Sequence, residues 1–279
     1  MALLLSILSQ GLIFSLVAMA VFLTSRVINK DDLSVEGTFG FGGALSAVLL
    51  VHNISPWLAL GAAFFAGALL GGLTGLLYTR LKMNHLMAGL VTTTACFSLS
   101  LALASANKNI AYESTIFARW WNLSETHAEC IVLLILILVI SSAISLFLRS
   151  ELGLLLRTAG DNPDLLVHFG KSKNAYQTLG FALANSLTAV AGSLFVQWSG
   201  FFSITGNVGT LITGLASLMI AELVLRRFSY IIIITSVIYQ SIFAAILWLG
   251  IAPVWNNFAK ASIIILLVAI SQLKSKKAA

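Results

Sequence analysis

The sequence predicts an all-α, polytopic membrane protein with about nine transmembrane helices, in a single domain over 1–279. Hydrophobic residues make up 59% of the chain and charged residues only 9%, whereas a soluble domain carries about 25% charged residues. The apolar runs reach membrane length, about 20 residues, and they do not alternate as the strands of a membrane barrel would. Since lipid offers no partners for backbone N–H and C=O groups, we expect these runs to be helices.

The first five predicted spans lie in the N-terminal half of the chain. They cover 3–28, 38–51, 56–78, 86–103 and 131–148. A polar break, NKDDLSVEG, separates the first two spans, and Pro56 suits the first turn of the third. The first run lacks a basic flank and a small-residue cleavage site, so we expect a retained span rather than a signal peptide.

Four more spans complete the predicted topology. They cover 175–198, 208–225, 230–249 and 258–273. If all nine spans alternate in direction, 13 of the 16 Lys and Arg residues fall on one side, and the exceptions are Lys108, Arg119 and Lys260. The positive-inside rule makes the richer side cytoplasmic, with the N-terminus outside and the C-terminus inside. Because the basic residues mark span ends rather than one patch, we expect no nucleic-acid partner.

A polar island interrupts the apolar chain between the fifth and sixth spans, at 149–173. Its leucine-rich halves predict two short helices on either side of a break, GDNP, at 160–163. The Asp–Asn pair of this break suits the cap of the second helix, and its proline suits that helix's first turn. Gly170 is a candidate for the C-terminal end of the second helix.

The second island helix presents an apolar surface, to which Leu165, Leu166, Val167 and Phe169 contribute. An amphipathic helix of this kind fits a groove on a partner protein. It also fits the surface of the bilayer, where anionic headgroups attract its flanking lysines. The residues alone leave both partners open, a protein and membrane lipid.

The break between the first two spans carries three acidic residues, Asp31, Asp32 and Glu36. Acidic groups at membrane depth are costly and mark functional sites by default, and a helix N-terminus at such a break attracts the negative group of a solute. The alternative is a local role, in which Asp32 caps the second span and Asp31 pairs with a neighbouring cation. We prefer the local role for Asp31 and take Ser34 and Glu36 as candidates for a structural or pathway role.

Small residues and cysteines have simpler explanations. Gly67, Gly71 and Gly75 recur every four residues in the third span, a stripe that lets helices approach closely, within the subunit or at a dimer face. Cys96 and Cys130 lie in or beside apolar spans, and we expect no disulfide. No His pair has metal-ligand spacing, and no catalytic or nucleotide-binding motif occurs. The sequence therefore predicts no metal, no cofactor and no enzyme activity in this chain.

Three stretches carry a resemblance to a known family: DDLSVEGTFGFGGALSAV at 31–48, LMAGLVTTTACFSLSLAL at 86–103 and LGLLLRTAGDNPDLLVHFGKS at 152–172. They resemble, in that order, a "D-L-S-V-E-G-S" segment, an "I-L-A-G-I-L-T-M-T-A-L-Y-S-I-N-L" segment and the "R-A-x-G-D-N-P" coupling loop of permease subunits of ATP-binding-cassette (ABC) importers. The superfamily is that of branched-chain amino acid and ribose permeases, and its tryptophan- or tyrosine-type members match best. The resemblance fades after Tyr230.

The resemblance implies a permease subunit of an ATP-driven importer in the inner membrane of a bacterial cell, with a small polar solute such as an amino acid. It also implies three partners: a second permease copy, an ABC ATPase subunit beneath each coupling loop and an extracytoplasmic solute-binding protein. For the island, it favours a protein groove over membrane lipid as the partner. The ATPase-coupling residues are then Arg157, Gly160, Asp161, Asn162, Pro163, Leu165, Leu166, Phe169 and Gly170. The pathway or helix-break candidates are Asp32, Ser34, Glu36 and Gly37.

Other function classes remain as alternatives at this point. A stand-alone secondary transporter or channel would need no ATPase and would use Asp32 or Glu36 for ion coupling. A membrane enzyme would need a clustered catalytic set within the spans, and the sequence pattern argues against one. A scaffold that borrowed the fold for export or lipid trafficking is a third alternative.

Overall fold

The computed structural model describes residues 2–105, 107–118, 125–224, 229–248 and 255–278. Eleven α-helices run through these ranges: α1 (Ala2–Phe22), α2 (Ser34–Val51), α3 (Pro56–Thr79), α4 (His85–Ala104), α5 (Glu125–Arg149), α6 (Glu151–Asp161), α7 (Pro163–His168), α8 (Lys173–Ser199), α9 (Thr210–Val224), α10 (Ser229–Trp248) and α11 (Asn256–Ala278). A π-helical turn, Leu23–Val27, extends α1. Two short strands, β1 (Lys108–Asn109) and β2 (Phe201–Phe202), pair antiparallel. The predicted all-α class is confirmed.

Among the residues that the structure describes, six helices are long and apolar enough to cross a membrane. They are Leu4–Val27, Ser34–Val51, Pro56–Thr79, His85–Ala104, His127–Arg149 and Lys173–Ser199, and they coincide with the first six predicted spans. The last three predicted spans coincide with shorter apolar helices, Thr210–Leu223, Tyr230–Ile246 and Asn256–Ala269. The number of nine crossings and the sidedness therefore stay predictions. The second helix begins at Ser34, four residues before the predicted span, so residues 34–37 of the break are already helical.

Helices α1, α2 and α8 form the centre of the protein. Most of their apolar segments are buried, whereas only a minority of each of α3, α4 and α5 is buried. The outer faces of these peripheral helices carry exposed apolar side chains such as Leu69, Leu90 and Val139. Hydrocarbon tails are as apolar as leucine, so these faces suit contact with lipid.

The glycine stripe of α3 packs directly on α8. A Cβ atom at Gly67 would lie 2.5 Å from the carbonyl oxygen of Asn185, and one at Gly75 would lie 2.6 Å from Cα of Thr178. At Gly71 a Cβ would overlap the carbonyl oxygen of Phe181. Contact at this range requires the absence of a side chain. The stripe therefore serves packing within the subunit, the simpler of its two predicted roles.

Candidate functional site

The chain breaks between the π-helical turn and α2, over residues 28–33. Asn29 takes a left-handed backbone conformation, φ 56°, which Asn tolerates better than most residues. Asp32 Oδ1 then accepts the backbone N–H of Ser34 at 2.8 Å, at the first residue of α2. This bond satisfies one of the donors that a helix leaves open at its N-terminus. Leu33, and not Asp32, is the N-cap residue of α2, so Asp32 supports the start of the helix from one residue before the cap.

Asp32 also anchors a buried polar network between α2 and α8. Asn185 Nδ2 donates to Asp32 Oδ2 at 2.8 Å, and Ser34 Oγ donates its proton to the same carboxylate, whose oxygens lie 2.6 and 2.7 Å away. Thr38 Oγ1 completes the network by donating to Asn185 Oδ1. All four side chains are buried. Burial raises the pKa of the Asp32 carboxyl above its ordinary value, although the hydrogen bonds from Ser34 and Asn185 oppose the rise.

Helix α4 holds the break from its other side. Thr93 Oγ1 donates to the carbonyl oxygen of Leu33 at 2.7 Å. A Cβ at Gly89 would lie 2.7 Å from the backbone nitrogen of Leu33, and one at Gly37 would lie 2.6 Å from Cα of Thr93. Gly37 is therefore explained by close packing of α2 on α4. The break is therefore held at two backbone groups, the N–H of Ser34 and the carbonyl oxygen of Leu33, by side chains of Asp32 and Thr93.

Glu36 lies one turn into α2 and faces the start of α9 rather than the Asp32 network. Its Oε1 accepts the backbone N–H of Gly209 at 2.9 Å, and its carbonyl oxygen accepts Asn207 Nδ2 at 3.3 Å. Gly209 has φ +83° and directly precedes α9. A carboxylate at a helix N-terminus is favoured by the helix dipole. The two acidic candidates, Asp32 and Glu36, thus belong to separate contacts.

The polar island forms two short helices, as predicted. Asn162 Oδ1 accepts the backbone N–H of Leu165 at 3.3 Å and caps α7, and Pro163 occupies the first turn. Gly170, with φ +67°, follows the end of α7. The break is narrower than predicted, because α6 continues through Gly160 and ends only at Asp161.

Helix α6 docks on the segment that follows α1 and on the N-terminal part of α8. Asn29 Nδ2 donates to Asp161 Oδ1 at 2.8 Å, and Gln177 Nε2 donates to the carbonyl oxygen of Ala159 at 3.2 Å. Gly160 lies so close to the π-helical turn that a Cβ there would overlap the carbonyl oxygen of Val27. The absence of a side chain at Gly160 is therefore what lets the island sit against the helix break.

The exposed apolar surface of the island differs from the expected one by one residue. Leu165 and Phe169 are exposed, at 42% and 68%, together with Val167. Leu166 is fully buried, so the expectation that it contributes to a docking surface is wrong. In a helix of this length, adjacent residues point to different sides, and the side that carries Leu166 faces the protein. Arg157 is exposed on α6.

A family model described as "Branched-chain amino acid transport system / permease component" matches residues 3–270, nearly the whole chain. The chain belongs to this permease family. It is 29% identical over 273 residues to the tyrosine transport system permease protein of Clostridioides difficile, covering 96% of this chain and 91% of that protein. An uncharacterized protein of Rickettsia prowazekii is 27% identical, covering 80% of this chain and 78% of that protein.

A nucleoside ABC transporter permease protein of Lactococcus lactis is 24% identical over 219 residues, covering 68% of this chain and 66% of that protein. No solved structure matches the permease. These relatives confirm the family that the three sequence motifs indicated.

Within the permease, one ion pair joins the π-helical turn to the far end of α9. Arg26 forms a two-point contact with Glu222, in which Nη2 donates to Oε2 at 3.0 Å and Nε donates to Oε1. Asp31 is exposed. The end of α1 is thus tied to α6 through Asn29 and to α9 through Arg26, and it is one of the points at which the island contacts the rest of the permease.

Sequence reasoning missed three of the residues that build this region: Asn29, Gln177 and Asn185. A signal for Asn185 was present, since a fully buried amide in the middle of an apolar span needs partners. No local signal marks Asn29 or Gln177, because their partners lie on elements distant in sequence.

Proposed function

We propose that this permease is the membrane subunit of an ATP-driven ABC importer and forms the pathway for a small polar solute, an amino acid or a related compound. The observation that carries the proposal is the attachment of the island to the helix break through Asn29 and Asp161. Force applied to the exposed surface of α7 reaches α1, α2 and α8 through a short chain of fixed contacts. The family, and the tyrosine transport permease among the relatives, support amino acid transport.

In the proposed assembly, two permease copies form the pathway and a separate ABC ATPase subunit docks beneath each island. The exposed side chains Leu165, Val167 and Phe169 enter a groove on the ATPase. An extracytoplasmic binding protein delivers the solute. The permease has nine crossings of the bacterial inner membrane, with the N-terminus outside, and the basic residues of the island then lie on the ATPase side. ATP is hydrolysed by the ATPase subunit alone.

The proposed motion begins at the ATPase. Closure of the ATPases on ATP shifts α7 and, through the Asn162 cap and the Asp161 contact, the end of α1. The Asp32 network holds α2 to α8 in one arrangement, and we expect it to separate, or to move as a unit, when access changes sides. The contact between α2 and α8 would then have two arrangements, one for each direction of access, as a coupling mechanism requires.

Copurification tests the docking step. The tagged permease is expected to bring down an ABC ATPase, and the double variant Leu165→Ala/Phe169→Ala is expected to lose most of it, because two exposed apolar anchors are removed. Leu69→Ala is the matched control, since Leu69 is an exposed leucine on α3. Retention of the ATPase by the double variant at the wild-type level would contradict the docking surface, and absence of an ATPase with the wild type would contradict the importer.

Uptake into vesicles separates the importer from a stand-alone transporter. Vesicles that contain the complex are expected to accumulate solute when ATP and the binding protein are supplied and the proton and sodium gradients are collapsed. Accumulation that follows an ion gradient and ignores ATP would favour the secondary transporter instead, with Asp32 as the buried carboxyl available for ion coupling.

A further inference from the structure

Three basic side chains gather where the helix break meets the turn between α3 and α4. The ammonium of Lys30 lies 5.9 Å from the centre of the Tyr78 ring, at the end of α3. Arg80 and Lys82 follow Tyr78 in the turn, and both are exposed. Because Lys30 directly follows Asn29, which contacts the island, this basic cluster of Lys30, Arg80 and Lys82 lies at the same end of the permease as the island.

The turn between α3 and α4 is short, and its backbone is fixed. It covers residues 80–84 and connects two helices of membrane length. The N–H of Arg80 donates to the carbonyl oxygen of Leu76 at 2.8 Å, and Lys82 takes a left-handed backbone conformation with φ 54°. A turn of this length holds its side chains close to the helix ends, so we place them at the level of the lipid headgroups.

The basic cluster has more positive than negative charge around it. In the part of the chain that the structure describes, none of its three members forms a salt bridge. Asp31 is exposed and lies within electrostatic reach of Arg26. Asp32 is buried, and its oxygens accept hydrogen bonds from Ser34 and Asn185. An anion that approaches this surface therefore meets three cations and one exposed carboxylate.

Exposed apolar side chains continue from the basic cluster along α4. Leu81 stands between the two basic residues of the turn and is 66% exposed. The outer side of α4 then presents Met87, Leu90, Phe97 and Leu101, which are all exposed. Their spacings of three, seven and four residues place them on one side of the helix. Positive charge above an apolar stripe matches the two parts of an anionic phospholipid, its headgroup and its acyl chains.

We propose that the basic cluster binds the headgroup of an anionic phospholipid of the phosphatidylglycerol class, in the leaflet on the island side. The phosphate pairs with Arg80 and Lys82, since a guanidinium contacts phosphate at two points. Lys30 adds its charge from the helix break, and the acyl chains follow the exposed stripe of α4. Basic groups between membrane helices are typical of sites for anionic headgroups. A zwitterionic headgroup gains less, because it brings a cation of its own.

This lipid site lies apart from the exposed surface of α7 and acts on the helix break. The N–H of Lys30 donates to the carbonyl oxygen of Thr24 in the π-helical turn at 2.9 Å. A headgroup that holds Lys30 and the α3–α4 turn together joins two elements that are distant in sequence. Since such a ligand binds the folded permease and not the unfolded chain, it raises the melting temperature.

Lipid binding to the purified, full-length permease in a nonionic detergent tests the site. The protein is titrated with dioleoyl-phosphatidylglycerol or dioleoyl-phosphatidylcholine, bound lipids are counted by mass spectrometry of the intact protein, and melting temperatures are recorded. The wild type is expected to prefer phosphatidylglycerol and to be stabilised more by it. Arg80→Gln/Lys82→Gln is expected to weaken phosphatidylglycerol binding about tenfold or more and to leave phosphatidylcholine binding unchanged. Arg80→Lys/Lys82→Arg keeps both charges and is expected to retain the preference.

Arg157→Gln/Lys171→Gln is the matched control, because it removes the same two types of charge from exposed positions on the island. This control should bind phosphatidylglycerol like the wild type. An equal loss in the control, or no preference between the two lipids in the wild type, would overturn the site. Equal stabilisation by glycerol phosphate would assign the cluster to a free anion instead. Loss of copurified ATPase by Arg80→Gln/Lys82→Gln with lipid binding intact would assign it to a protein interface.

Discussion

Asn29 donates a 2.8 Å hydrogen bond to Asp161 Oδ1, and this contact joins the helix break after α1 to the end of α6. The two residues are 132 positions apart in the chain. Asn29 adopts φ 56° to present its side chain in this direction. If the island receives force from an ATPase, this bond passes part of that force to the end of α1.

Removing the Asn29–Asp161 bond is expected to uncouple the transporter without dissociating it. Asn29→Gly deletes the side chain and keeps the positive φ accessible, and Asp161→Ala deletes the acceptor. We expect ATPase association to persist and ATP-driven uptake to fall several-fold in each variant, because an exposed hydrogen bond of this kind contributes about 1 kcal/mol or less. The double variant should be no worse than either single one, since both remove the same bond.

Asn53→Gly is the matched control for Asn29→Gly. Asn53 also has a positive φ, 59°, and follows the opposite end of α2. Uptake in this control should match the wild type. Full uptake in both Asn29→Gly and Asp161→Ala would show that the bond carries no coupling.

Gly160→Ala is expected to destabilise the docking of the island. The added Cβ would overlap the carbonyl oxygen of Val27, a backbone atom that cannot rotate away. Overpacking of this kind typically costs ~1–3 kcal/mol. Gly72→Ala, in the interior of α3 with open space around it, should instead be neutral or gain ~0.5–1 kcal/mol from helix propensity. Melting temperatures of the two purified variants in detergent measure the difference, and equal values would refute the close packing.

Some elements of this fold can be predicted from the sequence, and others cannot. The long spans and the two island helices were predictable, because hydrophobic length, the Asn162 cap and the Pro163 start are local signals. The Asp32 network was only half predictable. Its carboxylate stood out in the sequence, but its partner Asn185 is 153 positions away, and nothing local indicates which helix packs there. The burial of Leu166 was missed for the same reason, since amphipathicity shows that a helix has an apolar side but not which neighbour covers it.

Replacing Asp32 by Asn is expected to change how stability depends on pH. Burial raises the pKa of this carboxyl in the folded permease. In the unfolded chain its pKa is about 4. At pH values between the unfolded and the folded pKa, the folded state therefore binds more protons than the unfolded state. The free energy of unfolding therefore falls as pH rises through this window. Asp32→Asn removes the titration, and its melting temperature should follow pH less steeply there than that of the wild type. Parallel curves for the two proteins would show that Asp32 does not titrate in this range.

Replacing Glu36 by Gln is expected to lower transport and leave the assembled complex intact. Gln keeps an oxygen that can accept the N–H of Gly209, so the contact between α2 and the start of α9 is retained and only the charge is lost. Loss of the carboxylate charge beside the N-terminus of α9 is expected to lower uptake several-fold, since such a charge contributes about 0.3–1 kcal/mol at a helix N-terminus. Glu113→Gln, at an exposed position of a connecting loop, is the matched control. Copurified ATPase and the melting temperature report assembly and folding. Wild-type uptake by Glu36→Gln would remove Glu36 from the pathway, and a joint loss of uptake, ATPase and melting temperature would instead assign Glu36 a purely structural role.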